Sequence, residues 1–100
     1  MEELKLNLDA RNQGAFVVTE NGEQLGEMAL AITGDEMIVY HTEVVPQAEG
    51  RGLAKQLLNA MVSYARTNHL KVIPLCPYVH AQFKRHPQDF EDIWKKNEDE

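Results

Sequence analysis

Leu4, Leu6 and Leu8 alternate with Lys5, Asn7 and Asp9, the period of a strand with one buried face. Arg11-Asn12-Gln13-Gly14 breaks the pattern as a turn, and Ala15-Phe16-Val17-Val18-Thr19 resumes it with β-forming residues. Glu20-Asn21-Gly22-Glu23 contains Asn-Gly, the strongest short hairpin signal. Gln24 to Thr33 carries Leu25, Met28, Leu30 and Ile32 in irregular alternation and is read as a third strand, ended by a turn at Gly34-Asp35. Glu36 to Val44 is apolar on both parities at first, with Met37 and Val39 on one face and Ile38 and Tyr40 on the other. That pattern predicts a central strand covered on both sides, turning polar at His41, Thr42 and Glu43.

From Arg51 to Asn68 the period changes. Leu53, Leu57, Met61 and Tyr64 recur at steps of four and three, with Ala54, Leu58 and Ala65 beside them, which predicts one long helix with a wide apolar stripe against a sheet. Lys71 to Leu75 is a fifth strand, and a helix between two strands favours a parallel crossover. Pro74 donates no ladder hydrogen bond, so this strand lacks a partner on one side at that point. Tyr78 to His86 is a short helix stopped by Pro87, and Phe90, Ile93 and Trp94 turn inward after it. The expected architecture is one α/β (α+β) domain over residues 1–94: a mixed, mainly antiparallel sheet of about five strands, one long helix and one or two short C-terminal helices. Residues 95–100 are expected to form a charged, disordered tail.

Between strand and long helix lies Pro46-Gln47-Ala48-Glu49-Gly50-Arg51-Gly52-Leu53-Ala54. The first N–H groups of a helix have no intrahelical acceptor, the helix dipole adds positive charge there, and glycine lets an anion approach the backbone. An ordinary flexible turn is the plainer account of two glycines. The spacing Q-x-x-G-x-G at Gln47, Gly50 and Gly52, between a strand and a helix, resembles the acyl-CoA-binding core of the Gcn5-related N-acetyltransferases. Over residues 14 to 94 the chain further resembles that family's small single-domain branch of YjdJ type, through His41-Thr42, Cys76-Pro77 and His86-Pro87. The resemblance implies a family fold with acetyl-CoA as cosubstrate. It also implies strands that splay beside the CoA site, consistent with Pro74. The cofactor would be bound by the strand end at Val44-Val45 and by Gln47, Gly50, Arg51, Gly52, Leu53 and Ala54, with Arg51 adding charge to the phosphate contact.

Acyl transfer to an amine needs a polarised thioester, a deprotonated amine and a stabilised leaving thiolate. His41 and Glu43, two apart on one strand, point to the same face and are candidate bases; histidine is the side chain that titrates near neutral pH. Both also suit structural hydrogen bonds. For the thiolate, many family members use a tyrosine in a pattern like N-x-x-A-x-x-L-Y, from which this chain departs: Ala81 is followed by Phe83 and Lys84. Tyr78 is the only tyrosine nearby. Cys76, the single cysteine, is the alternative acid or transient acyl acceptor, against the common fate of a free cysteine as a small buried hydrophobe.

Charge and composition narrow the partners. A net charge of −6 lacks the basic footprint of nucleic-acid binding. No apolar run reaches the ~18 residues of a membrane span, and Met1-Glu2-Glu3 is not the basic start of a secretory signal. One cysteine forms no internal disulfide, so a cytoplasmic site is expected. No cluster has zinc spacing, so no metal is expected. Only Asp9 to Gly14 stands where larger family members place two helices that shape the acceptor pocket, so the pocket is open or completed by a partner, a second copy of the chain being one candidate. The amine acceptor is not specified by any element. The alternative to an enzyme is a module that binds CoA or acyl-CoA without turnover.

Overall fold

The computed structural model describes residues 2–96. Four antiparallel strands run in sequence order, β1 (Glu2–Leu8), β2 (Gln13–Glu20), β3 (Glu23–Thr33) and β4 (Glu36–Val44), and β5 (Lys71–Pro74) joins β4 in parallel to give the order β1-β2-β3-β4-β5. The expected mixed, mainly antiparallel five-stranded sheet is therefore present. Local chemistry closes the first two hairpins. Asp9 accepts from the N–H groups of Arg11 (2.8 Å) and Gln13 (3.0 Å), an Asx-type turn. Asn21 and Gly22 both take positive φ, 54° and 82°, as a two-residue hairpin requires.

A short 3₁₀ turn, Pro46–Ala48, leads to the long helix α1 (Leu53–Thr67), followed after β5 by α2 (Pro77–Arg85) and the short α3 (Pro87–Phe90). Helix α1 starts two residues later than its apolar period suggests, because Gly50 (φ 85°) and Gly52 (φ 77°) hold left-handed conformations that cannot belong to an α-helix. At its other end His69 takes φ 55°. His69 N–H donates to Arg66 O at 3.3 Å and Leu70 N–H to Ala65 O at 2.8 Å. This is the Schellman ending, with histidine where glycine is favoured. His69→Gly is therefore expected to stabilise the protein by about 0.5–1 kcal/mol, read as a higher denaturation midpoint at unchanged m-value; an unchanged or lower midpoint would show that the left-handed histidine carries no penalty.

One core joins Phe16 and Val18 of β2, Met28 and Leu30 of β3, Met37 and Val39 of β4, the α1 stripe of Leu53, Leu57, Leu58, Met61 and Ala65, and Val79 and Phe83 of α2. Phe83 stacks on Phe90 (4.7 Å) and tilts against Trp94 (5.7 Å). The segment after α3 runs beside β5, with Val72 N–H donating to Ile93 O (2.6 Å) and Lys95 N–H to Val72 O (2.9 Å). The expected tail thus has its first residue bonded to β5, and residues 97–100 lie outside the described residues.

The expectation that β4 is covered on both faces is corrected by the packing. Ile38 is only half-buried and Tyr40 is 45% exposed, and the core faces one side of the sheet. Among the described residues no helix covers the other side, where Ala15, Val17, Ala29, Ile38 and Ile73 present modest apolar side chains. No described helix is long and apolar enough to cross a membrane.

Candidate functional site

Strand β4 changes character at a bulge. Ala29 pairs with His41 but Leu30 pairs with Val39, so Tyr40 is an extra residue on β4. Before it, Met37 and Val39 face the core and are fully buried. After it, parity is inverted. Thr42 lies opposite buried Met28 and Val44 opposite Gly26, whose ideal Cβ would sit 3.5 Å from Leu57 Cδ1 of α1. His41 and Glu43 pass to the uncovered face and are exposed. They share a face, as their spacing predicts, and Glu43 lies opposite Glu27.

The parallel ladder between β4 and β5 ends at Val39–Pro74. One more bond follows, from Cys76 N–H to Val39 O at 2.9 Å, and the chain then turns into α2. Among the described residues β4 continues from Tyr40 to Val44 with no strand on that side. Pro74 thus stands at the point where the two strands part.

At the open end of this gap the backbone offers a row of donors. Ala48 N–H donates to Val45 O (3.0 Å) and Glu49 N–H to Pro46 O (3.2 Å), and the first helical bond of α1 runs from Gln56 N–H to Gly52 O (3.1 Å). Among the described residues the N–H groups of Gly50, Arg51 and Gly52 donate to no acceptor, and those of Leu53, Ala54 and Lys55 belong to the first helical turn, which has none. An ideal Cβ at Gly50 or Gly52 would meet no atom within 4 Å, so the space beside the row is open. A cavity of about 310 Å³ lies here, lined by Val44, Ala48, Glu49, Gly50, Gly52, Leu53, Ala54, Lys55 and Tyr78. This geometry suits a diphosphate at the helix start, with an extended chain running from it toward the gap.

Of the expected ligands, Val44, Gly50, Gly52, Leu53 and Ala54 line that cavity. Val45 and Val44 also line a second cavity of about 460 Å³ with Gly26, Glu27, Thr42 and Glu43. Gln47 lies in the 3₁₀ turn and is exposed. Arg51 is directed elsewhere: its guanidinium donates to Glu20 Oε2 (3.0 Å) and to Glu2 Oε2.

Cys76 is 1% exposed and occupies the N-cap position of α2, so its thiol is buried, one of the two fates the sequence leaves open to it. Its Sγ lies 3.3 Å from Thr42 Oγ1. The fold therefore joins the two dipeptides, His41-Thr42 and Cys76-Pro77, through one side-chain contact. Tyr78 is half-buried beside the glycine loop, and burial, with the neighbouring Cys76 second, pushes its phenol above its ordinary value. Sequence reasoning named Tyr78 as the only tyrosine nearby but gave it no role, because it stands outside the N-x-x-A-x-x-L-Y pattern. The signal that places it is its position two residues after the end of the parallel ladder's last bond.

The sequence model of a family described as GCN5-related N-acetyl-transferase matches residues 15–93. The structure resembles a GCN5-like protein from Staphylococcus aureus with 26% identity and a TM-score of 0.69, covering 96% of this chain and 90% of that one. It also resembles the ribosomal-protein-S18-alanine N-acetyltransferase from Escherichia coli (18% identity, TM-score 0.60, 66% and 43% covered). A third likeness is to N-acetylglutamate synthase from Neisseria gonorrhoeae, complexed with coenzyme A and N-acetyl-glutamate (21% identity, TM-score 0.58, 72% and 18% covered). The last two likenesses carry the fold alone, and this chain spans less than half the length of either enzyme. No curated protein matches it.

Proposed function

The chain belongs to the GCN5-related N-acetyltransferase family, and from that premise we propose that it transfers an acetyl group from acetyl-CoA to an amine. The observation that carries the proposal is the row of acceptor-free N–H groups at Gly50 to Lys55 beside an open cavity. Backbone donors and the α1 dipole suit the diphosphate, and the end of β4 at Val44-Val45 suits the amide-bearing arm that follows it. When bound, acetyl-CoA supplies an activated thioester. The protein's own contribution is to place that thioester in the gap between β4 and α2, reachable from both sides of the sheet.

Helices lie on the cofactor's side. The acceptor amine then arrives over the uncovered face, where His41 and Glu43 stand ready to take its proton. Among the described residues no helix covers that face, which supports an acceptor presented by a larger partner or a site completed by a second copy of the chain. For the departing sulfur we assign Tyr78, which lines the cavity and stays protonated, as the hydrogen-bond donor. A second reading gives this role to Cys76, supported by its contact with Thr42. The single reduced thiol supports a cytoplasmic setting.

Acetyl-CoA at a hundredfold excess over its Kd is expected to add about 2.7 kcal/mol of stability and to raise Tm by roughly 11–20 °C. No shift at millimolar ligand would leave the glycine loop as a helix start and nothing more. A shift without release of free CoA thiol across a panel of amines would identify a binding module without turnover.

A further inference from the structure

Arg51 sits between the two left-handed glycines, yet its guanidinium points away from the donor row. It reaches Glu20 Oε1 at 3.4 Å and Oε2 at 3.0 Å, and Glu2 Oε2. Glu2 and Glu20 are cross-strand partners at the end of the β1–β2 hairpin. Two carboxylates placed directly opposite repel each other, so the pair forms a socket for one planar cation that reaches both, which a guanidinium does and an ammonium does poorly. Gln56 of α1 adds a bond from Nε2 to Glu2 Oε1 at 3.3 Å. The hydrogen bond from Arg51, with its charge second, holds the Glu20 carboxyl below the usual carboxylate range.

Among the described residues, Arg51 makes the only side-chain hydrogen bonds of segment 49–52. Gly50 and Gly52 bring no side chain and the widest backbone freedom, so without an anchor this segment samples many shapes. We propose that Arg51 is a positioning residue: clamped by Glu2 and Glu20, it holds the loop in the one shape that aligns its N–H groups for the cofactor's diphosphate. This deepens the reading of the loop as an acetyl-CoA site and rests on it. A preorganised loop has little left to order on binding, so the clamp acts on affinity. It also gives β1, the strand farthest from the gap in the sheet, a hold on cofactor binding.

Calorimetric titration of acetyl-CoA separates this role from direct phosphate binding by the sign of one effect. Glu20→Gln weakens the clamp. If Arg51 positions the loop, the variant binds acetyl-CoA about threefold more weakly; if Arg51 is a phosphate ligand held back by the carboxylates, freeing it tightens binding. Arg51→Met is expected to weaken binding about tenfold, on the order of 1.4 kcal/mol. Arg51→Lys should recover part of that loss, and Arg51→Met with Glu20→Gln should bind no more weakly than Arg51→Met alone, since both break one interaction. Melting temperatures of the variants identify those that remain folded, Glu20→Gln being the mildest. Tighter binding by Glu20→Gln, or unchanged affinity in Arg51→Met, would overturn the proposal while leaving the acetyl-CoA site in place. A wild-type protein that does not bind acetyl-CoA would remove that reading itself and the clamp's role with it.

Discussion

A folded Gly52→Asp variant is expected to bind acetyl-CoA about a hundredfold more weakly than Gly52→Asn. The two side chains have the same size, and both residue types tolerate a left-handed backbone better than most. The φ of 77° at Gly52 thus costs them a similar ~1 kcal/mol or more of strain. An added Cβ meets no atom within 4 Å, so neither variant clashes. What differs is one negative charge at the N-terminus of α1. Roughly 5 Å from a doubly charged diphosphate, it contributes a repulsion of about 2–3 kcal/mol at an effective dielectric between protein surface and water. Calorimetry on the matched pair reads that difference directly. Equal affinities would move the phosphate away from Gly52.

Tyr78→Phe is expected to lower kcat about a hundredfold, the usual scale for loss of one acid–base group, while acetyl-CoA affinity stays within about twofold. The phenyl ring keeps the cavity wall and only the O–H is lost. The raised pKa of Tyr78 sets the pH behaviour. The folded protein favours the neutral phenol, so this group's contribution to stability is complete below its ordinary value and declines as pH rises past that value. Activity that depends on the phenol should persist throughout the neutral range. Cys76→Ser provides the contrast. Thr42 Oγ1 at 3.3 Å offers the serine hydroxyl a partner, so the ~1–3 kcal/mol of an unsatisfied buried hydroxyl is largely avoided. Alkylation of the wild-type thiol should be slow, because only 1% of Cys76 is exposed. If Cys76→Ser loses turnover and Tyr78→Phe keeps it, the second reading replaces the first.

Where the sequence could be read, local rules were enough. Asn21-Gly22, the α1 stripe and the proline in β5 each act within a few residues, and each predicted its element. The glycine spacing located the loop for the same reason. Three features escaped because their causes are not local. The bulge at Tyr40 leaves no mark in composition, since tyrosine suits either register of a strand. The face of the sheet that no described helix covers depends on which segments of the chain return to it, and Ile38 reads as a core residue although the described residues leave it half-buried. Arg51 reads as a phosphate ligand because Glu20 and Glu2 lie 31 and 49 residues away, joined to it only once β1 has paired with β2. Tyr78 was named but set aside through the opposite fault, a sequence pattern given more weight than proximity.

The extra residue on β4 also governs how this strand may be compared with any other. Up to Val39 an odd number means inside; from His41 an odd number means outside. Residue number and address therefore part company at Tyr40. An alignment that slides across the bulge without a gap would match His41 to a core position and Thr42 to a surface one, and would misassign both. Grafting the polar end of β4 onto another sheet has the same requirement: Tyr40 must travel with it, and the count must begin at the bulge, not at the first residue of the strand.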